Sequence, residues 1–313
     1  MRYRGCEVKD SRSRFSDSCF EKKNRREKKE DNKWKLSKSS TCFTLLVIVI
    51  LSFLLATFLL TQPLEYEQTK FAEDVKYRLI DKNKLDSTKF INTKLNARNV
   101  LEIPIHSATI NELIDYYMTY IEPNLRDEKY VGPIQGLEGH EFFCVSPSWK
   151  SDIQWISVNN LASYNHFFQY FEAMGLNDIF KQIIDIDSKI VVYSIFFVVR
   201  SKISNHNWHI DFENGTNVNA FTLLTPLQNK SQVHLAYKNI DGNTNKYEYK
   251  KNIGIVFGEN FLHSTDVAFN DNKEVVFCFS FGTDKLSDWE YIKETAATQG
   301  EHYMHPIHGF VPT

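Results

Sequence analysis

Cysteine is scarce. The chain has five in 313 residues, and Cys6, Cys19 and Cys42 fall in or beside a basic N-terminal segment. Only Cys144 and Cys278 remain for a folded part, which excludes a disulfide scaffold. One bridge in an oxidising lumen and two buried thiols both fit that pair. Net charge is nearly absent too, at −2 from 37 Lys and Arg against 39 Asp and Glu, but it is unevenly spread. Residues 1–40 hold about fourteen basic side chains against about seven acidic ones, which leaves about −9 on the rest. That acidic remainder excludes a general affinity for nucleic acid and favours a neutral or basic substrate surface. There is no internal repeat, so a repeat array is excluded. Residues 1–40 are also poor in large apolar side chains and bury too little to offset chain entropy, which predicts a disordered tail.

The next segment is the opposite of that tail. Residues 41–61 read TCFTLLVIVILSFLLATFLLT, without a charge. About twenty residues at 1.5 Å rise span about 30 Å, the thickness of a bilayer's hydrocarbon core. A buried core helix would show a polar face, and a cleaved signal peptide has a shorter apolar region and a shorter basic segment. The pattern predicts a transmembrane signal-anchor helix with its basic side in the cytoplasm. The expectation is a single-pass type II membrane protein of the endoplasmic reticulum or Golgi, with a cytoplasmic tail over 1–40, a stem over 62–98 and a lumenal domain over 99–313. In that setting the basic run Lys22, Lys23, Arg25, Arg26 is not a nuclear signal.

Within 99–313 the hydrophobic period changes once. Residues 101–105 suggest an opening strand. Thr109 and Glu112 form a capping box ahead of a helix carrying Leu113, Tyr116, Tyr117 and Tyr120. Phe142 and Phe143 suggest an edge strand. Residues 160–174 suggest a helix with Leu161, Tyr164, Phe168 and Phe171 on one face, stopped by Gly175. A shorter helix passes through Phe180, Ile183 and Ile184. From Lys189 onward, strands are predicted at 190–200, 207–212, 220–227, 233–237, 247–250, 253–257, 261–269 and 274–282, with Asn, Gly and Asp at the turns. A helix over 286–295 closes the domain. The class is α+β, mainly β: a jelly roll, cupin-like, with flanking helices.

The chemistry centres on Asn207-Trp208-His209-Ile210-Asp211-Phe212. On a strand, side chains i and i+2 share a face, so His209 and Asp211 point together. With a second histidine they complete the 2-His-1-carboxylate triad that holds Fe(II) and leaves coordination positions open. His263, 54 residues on, supplies it from a late strand. A dicarboxylate cosubstrate chelating that iron needs a cation for its far end. Lys273 heads a strand face with Val275, Phe277, Phe279 and Phe281, and is the expected clamp over a solvated turn lysine. Arg200, at the end of the preceding strand, is a further candidate anion contact, and Asn219 a candidate polar lining residue. For both, a surface or turn contact is the plainer expectation.

H-x-D, a distal His and a basic residue ten positions on resemble the Fe(II)/2-oxoglutarate-dependent oxygenase superfamily, whose fold is the double-stranded β-helix. Residues 204–284 are similar in layout to aspartyl/asparaginyl β-hydroxylases and their lipid-hydroxylating relatives. The likeness lies in Gly215-Thr216-Asn217, and in Gly254-Ile255-Val256-Phe257 followed by Asn260-Phe261-Leu262-His263. Lysine at the position of Lys273 resembles prolyl hydroxylases. Two departures stand out. The aspartyl/asparaginyl enzymes lack the metal carboxylate that Asp211 supplies, and they have Arg where this chain has Lys273. The resemblance implies Fe(II) and 2-oxoglutarate, with ascorbate as accessory reductant. It implies hydroxylation of a peptide, lipid or small molecule with release of succinate and CO2. The retained carboxylate argues against a halogenase, which frees that position for halide.

Two other function classes compete. Asp185-Ile186-Asp187 is a D-x-D in a type II membrane protein, as in Golgi glycosyltransferases, but it leads into continuous β structure without intervening helices. A jelly-roll binding module without metal would not need His209, Asp211 and His263. Asn214 and Asn229 begin glycosylation sequons, and His302, His305 and His308 suggest a solvated tail.

Overall fold

The computed structural model describes residues 47–52, 85–86, 88–89, 99–125, 130–145, 153–185, 187–213, 215–228 and 231–313. The chain divides into two units, residues 1–64 and 65–313. Of the first unit only residues 47–52 are described, and they are helical. No helix among the described residues is long and apolar enough to cross a membrane. The anchor expected over 41–61 lies largely outside the described residues, as do the tail over 1–40, most of the stem, and the sequon residues Asn214 and Asn229.

The first described strand of the second unit is β1 (Val100–Pro104). Helix α1 (Ser107–Tyr116) comes next and continues through a π-helical turn over Tyr117–Ile121. Then come β2 (Gly132–Gln135), β3 (Glu141–Val145), β4 (Ile153–Val158), α2 (Leu161–Ala173) and α3 (Leu176–Phe180). The β-rich part comprises β5 (Ile190–Ile203), β6 (Ala220–Pro226), β7 (Leu235–Lys238), β8 (Thr244–Tyr247), β9 (Ile253–Phe257), β10 (His263–Thr265) and β11 (Ala268–Thr283). Helix α4 (Leu286–Thr298) and the hairpin β12 (His302–His305) with β13 (Gly309–Pro312) close the chain.

Eight strands form one sheet in the order β1-β9-β6-β11-β5-β4-β3-β2, and three form a second, β10-β7-β8. Every strand pairing is antiparallel. Residues 207–212 are not a full strand; a single bridge, His209 to His263, adds them beside β10. The result is the expected jelly roll, two facing antiparallel sheets with flanking helices. The parallel α/β sheet of a D-x-D glycosyltransferase is not what these residues form. Asp185 instead accepts from Lys285 Nζ at 2.9 Å, a loop-to-helix contact.

The large sheet is buried on both faces, which decides where side chains go. Phe197, Val275, Phe277, Phe279 and Phe281 pack with Tyr116, Phe167, Phe171 and Phe180 of the helices. The alternate residues Phe196, Val198, Val276 and Cys278 pack between the two sheets. Burial of this kind supplies most of the driving force for folding, at about 25 cal/mol per Å² of apolar surface.

Several local expectations differ in detail. The capping box is not used: α1 starts earlier, and His106 Nδ1 caps it by accepting from Ala108 N–H. In α2, Asn160 Oδ1 accepts from Ser163 N–H at 2.9 Å, and Gly175 ends the helix at φ 68°. Leu161 lies exposed and Phe167, not Phe168, is fully buried, because the helix rolls toward Phe197 and Phe277. Strand β3 sits between β2 and β4 rather than at an edge. Cys144 and Cys278 are unbridged buried thiols, one in each core layer. The three C-terminal histidines belong to an ordered hairpin: His302 stacks on Phe310, and His305 meets the edge of Trp289.

Candidate metal centre and cosubstrate cavity

The bridge between His209 and His263 is a pair of backbone hydrogen bonds, each 2.9 Å, which places the two imidazoles side by side with ring centroids 4.3 Å apart. Asp211, two residues on, shares the side of His209. Its Oδ1 lies 3.6 Å from His209 Nε2 and 3.8 Å from His263 Nε2. One donor atom from each residue falls within 4.8 Å of the others. His209 Nδ1–H donates to the Asn207 carbonyl at 2.8 Å, and His263 Nδ1–H to the Phe261 carbonyl at 2.9 Å. A carbonyl oxygen only accepts, so both Nδ1 atoms carry the hydrogen and both Nε2 lone pairs are turned to the common centre. That is the tautomer a metal ligand requires.

The carboxylate is oriented as firmly. Thr222 Oγ1–H donates to Asp211 Oδ2 at 2.6 Å, which leaves Oδ1 as the atom facing the histidines. The Thr295 hydroxyl of α4 donates to the Asp211 carbonyl, tying the closing helix to the H-x-D segment. Two imidazoles and one carboxylate oxygen on one side of a centre fit Fe(II), with the other positions open to ligands.

A cavity of about 220 Å³ opens from this centre into the space between the sheets. The apolar part of its walls includes Trp155, Phe196, Val198, Leu224, Leu235 and Val276. The cation that lines it is Arg200. Arg200 is only 4 % exposed, and its Nε and Nη2 are buried without a hydrogen-bond partner. Its Nη1 donates to Thr265 Oγ1 at 3.3 Å, and its guanidinium lies over the Tyr249 ring, 5.1 Å from the centroid. Burial raises the Tyr249 hydroxyl pKa, and the nearby Arg200 charge opposes that rise, although the pair falls short of a well-formed hydrogen bond. Glu274 is the cross-strand neighbour of Arg200. Glu274 accepts from the Ser231 hydroxyl and from the backbone N–H groups of Gln232 and Val233.

Lys273 stands elsewhere. On β11 it shares a face with Val275 and Phe277, which pack toward the helices, and it lies near enough to Cys144 to act on that thiol's ionisation. The cavity is lined from the other face of β11, by Val276. The expected clamp Lys273 is not among the residues that line the cavity, whereas Arg200 of β5 is. Asn219 is buried and donates to Asp288 Oδ2 at 2.7 Å, bracing α4 rather than lining the cavity. Thr222 and Gln299 line the cavity and were not anticipated. For Arg200 a signal existed: it ends a run whose alternate residues Ser194, Phe196 and Val198 face the same way.

No family model and no curated protein matches the chain. Solved structures are similar at low identity. One is an oxidoreductase of the 2OG-Fe(II) oxygenase family from Burkholderia pseudomallei, 9 % identical, covering 59 % of this chain and 84 % of that one, with TM-score 0.40. A second is HygX from Streptomyces hygroscopicus with nickel and 2-oxoglutarate bound, 11 % identical, with coverage 61 % and 85 % and TM-score 0.42. A third is a Pseudomonas putida prolyl-4-hydroxylase, 14 % identical, with coverage 59 % and 92 % and TM-score 0.38. These are loose likenesses and carry no assignment by themselves; the donor set and the buried guanidinium are what call for a metal and an anion.

Proposed function

We propose that this chain is an Fe(II)/2-oxoglutarate-dependent dioxygenase. His209, Asp211 and His263 hold the metal, and Arg200 receives the distal carboxylate of the cosubstrate. The observation that carries the proposal is a buried guanidinium with two unpartnered donor nitrogens in the same cavity as a preoriented His-Asp-His centre. An unpaired buried charge is costly, so the cavity calls for an anion. Spacing supports a five-carbon dicarboxylate. Thr265, which accepts from Arg200, stands two residues past His263 on β10, roughly 6.5–7 Å along the strand. Charge supports it too: a divalent metal, the Asp211 carboxylate, a dicarboxylate and Arg200 cancel.

When bound, iron and 2-oxoglutarate supply oxidative decarboxylation to succinate and CO2 coupled to hydroxylation of a second substrate. The protein's part is to hold the reactants in register and keep bulk water out. Thr222 fixes one oxygen of Asp211 toward the metal, Arg200 fixes the far end of the cosubstrate, and the aromatic and aliphatic walls exclude water. We place this domain on the lumenal side of an endoplasmic reticulum or Golgi membrane, tethered through residues 41–61. The uncharged run and the basic segment before it support that placement. The test of the activity is release of labelled CO2 from 1-labelled 2-oxoglutarate. Release that depends on added Fe(II) and is lost in His209→Ala and Asp211→Ala supports the proposal. Release that persists in both variants, or none in the wild type, counts against it.

A further inference from the structure

The end of the cavity beneath α4 is built differently from the Arg200 end. Gln299, just past the last turn of α4, is 5 % exposed and lines the cavity. Its Oε1 accepts from two hydroxyls, Ser194 of β5 and Ser280 of β11, the latter at 2.9 Å. Its backbone carbonyl accepts from the hydroxyl of Ser157 on β4. Ser194 and Ser280 are direct cross-strand partners, so their side chains rise together from the sheet. Both serine hydroxyls donate to Gln299 Oε1, which turns Oε1 toward the sheet. The two donors of Nε2 make no hydrogen bond with the described residues, and Gln299 lines the cavity.

This amide stands beside the metal centre. Ser194, Ser280 and Thr222 form one row across β5, β11 and β6, and Thr222 is the residue that holds Asp211 Oδ2. Thr295, one helical turn before Gln299, holds the Asp211 carbonyl. Arg200 lies six residues from Ser194 on the same strand, roughly 20 Å along it. The two ends of the cavity thus offer different chemistry. One has a cation for an anionic cosubstrate. The other has an uncharged donor, with the Thr298 hydroxyl and the Trp155 ring in the same wall.

We propose that the α4 end is the subsite for the primary substrate, and that it takes a neutral group with a carbonyl acceptor, as in an amide, which receives a hydrogen bond from Gln299 Nε2. A cationic group would meet the donor face of Nε2, with the Thr298 hydroxyl oxygen as its one uncharged acceptor in that wall. An anionic group has its cation at the far end. The inference rests on the proposed iron and 2-oxoglutarate site but uses different residues, so the two fail separately.

The test uses the full chain loaded anaerobically with Co(II) and 2-oxoglutarate, with proton relaxation of small probes read by NMR. The probes are N-methylacetamide, methylammonium and acetate. The expected result is saturable paramagnetic relaxation of N-methylacetamide alone, about tenfold weaker in affinity for Gln299→Met. In Gln299→Glu the preference shifts toward methylammonium. Affinity for 2-oxoglutarate stays at the wild-type value in a variant that has lost only the subsite, while Gln299→Met melts lower because Ser194 and Ser280 lose their acceptor. The inference is overturned by equal relaxation of the charged probes, by no saturable relaxation of the amide in the loaded wild type, or by unchanged amide affinity in Gln299→Met. Should either substitution prevent folding, the selectivity among probes in the wild type still decides the matter. Failure of the wild type to bind Co(II) and 2-oxoglutarate at all would instead remove the site on which the inference stands.

Discussion

Replacing Arg200 by methionine should move stability and cosubstrate binding in opposite directions. In the free protein the guanidinium is buried with Nε and Nη2 unpartnered, each unmade bond costing about 1–3 kcal/mol. Against that stand one 3.3 Å hydrogen bond to Thr265 and the contact over Tyr249, together worth about 2–3 kcal/mol. Methionine fills much of the same volume without a charge, so the free variant should melt no lower than the wild type. With 2-oxoglutarate present the order reverses. The wild type gains charge-assisted hydrogen bonds worth about 1.5–3 kcal/mol, roughly ten- to a hundredfold in affinity, and the variant forgoes them. The assay is thermal melting of metal-loaded protein across a 2-oxoglutarate titration, in which ligand bound only to the folded state raises the transition temperature. A variant that binds 2-oxoglutarate like the wild type, or that is several degrees less stable without it, would refute the reasoning.

Lys273→Ala, on the helix-facing side of β11, should leave the 2-oxoglutarate requirement unchanged in the CO2-release assay; a large rise would return the clamp to Lys273. Thr222→Val should weaken Co(II) binding by about 10- to 100-fold by calorimetry while Thr222→Ser retains it, because the hydroxyl orients Asp211. Burial pushes the Cys144 thiol up to about 12 and that of Cys278 well above its ordinary value, so neither forms thiolate at pH 8. Both should resist a thiol reagent in the native protein and react on unfolding; a reactive thiol in the folded domain would contradict the core assignment.

The H-x-D and the distal histidine were legible because the triad depends on strand parity and on one long-range pairing, and His209 and Asp211 keep their common side even where the strand shrinks to a single bridge. The sandwich was legible because Asn, Gly and Asp punctuate the β-branched runs. The clamp was not. Both faces of β11 are buried, so Val275, Val276, Phe277 and Cys278 are all apolar, and alternation does not tell the cavity side from the helix side. The parity of Lys273 therefore had no polar reference. Gln299 was hidden for another reason: its importance lies in hydroxyls from β5 and β11 that meet it only in three dimensions.

The most direct test of the central claim is anaerobic titration of the protein with Fe(II) and then 2-oxoglutarate, followed by visible absorption. Chelation of iron by the keto acid gives a weak charge-transfer band. The band should appear in the wild type at one equivalent of iron and be absent in His209→Ala. Iron that binds without the band, or a band that survives in His209→Ala, would contradict the assignment of His209, Asp211 and His263 as the metal ligands.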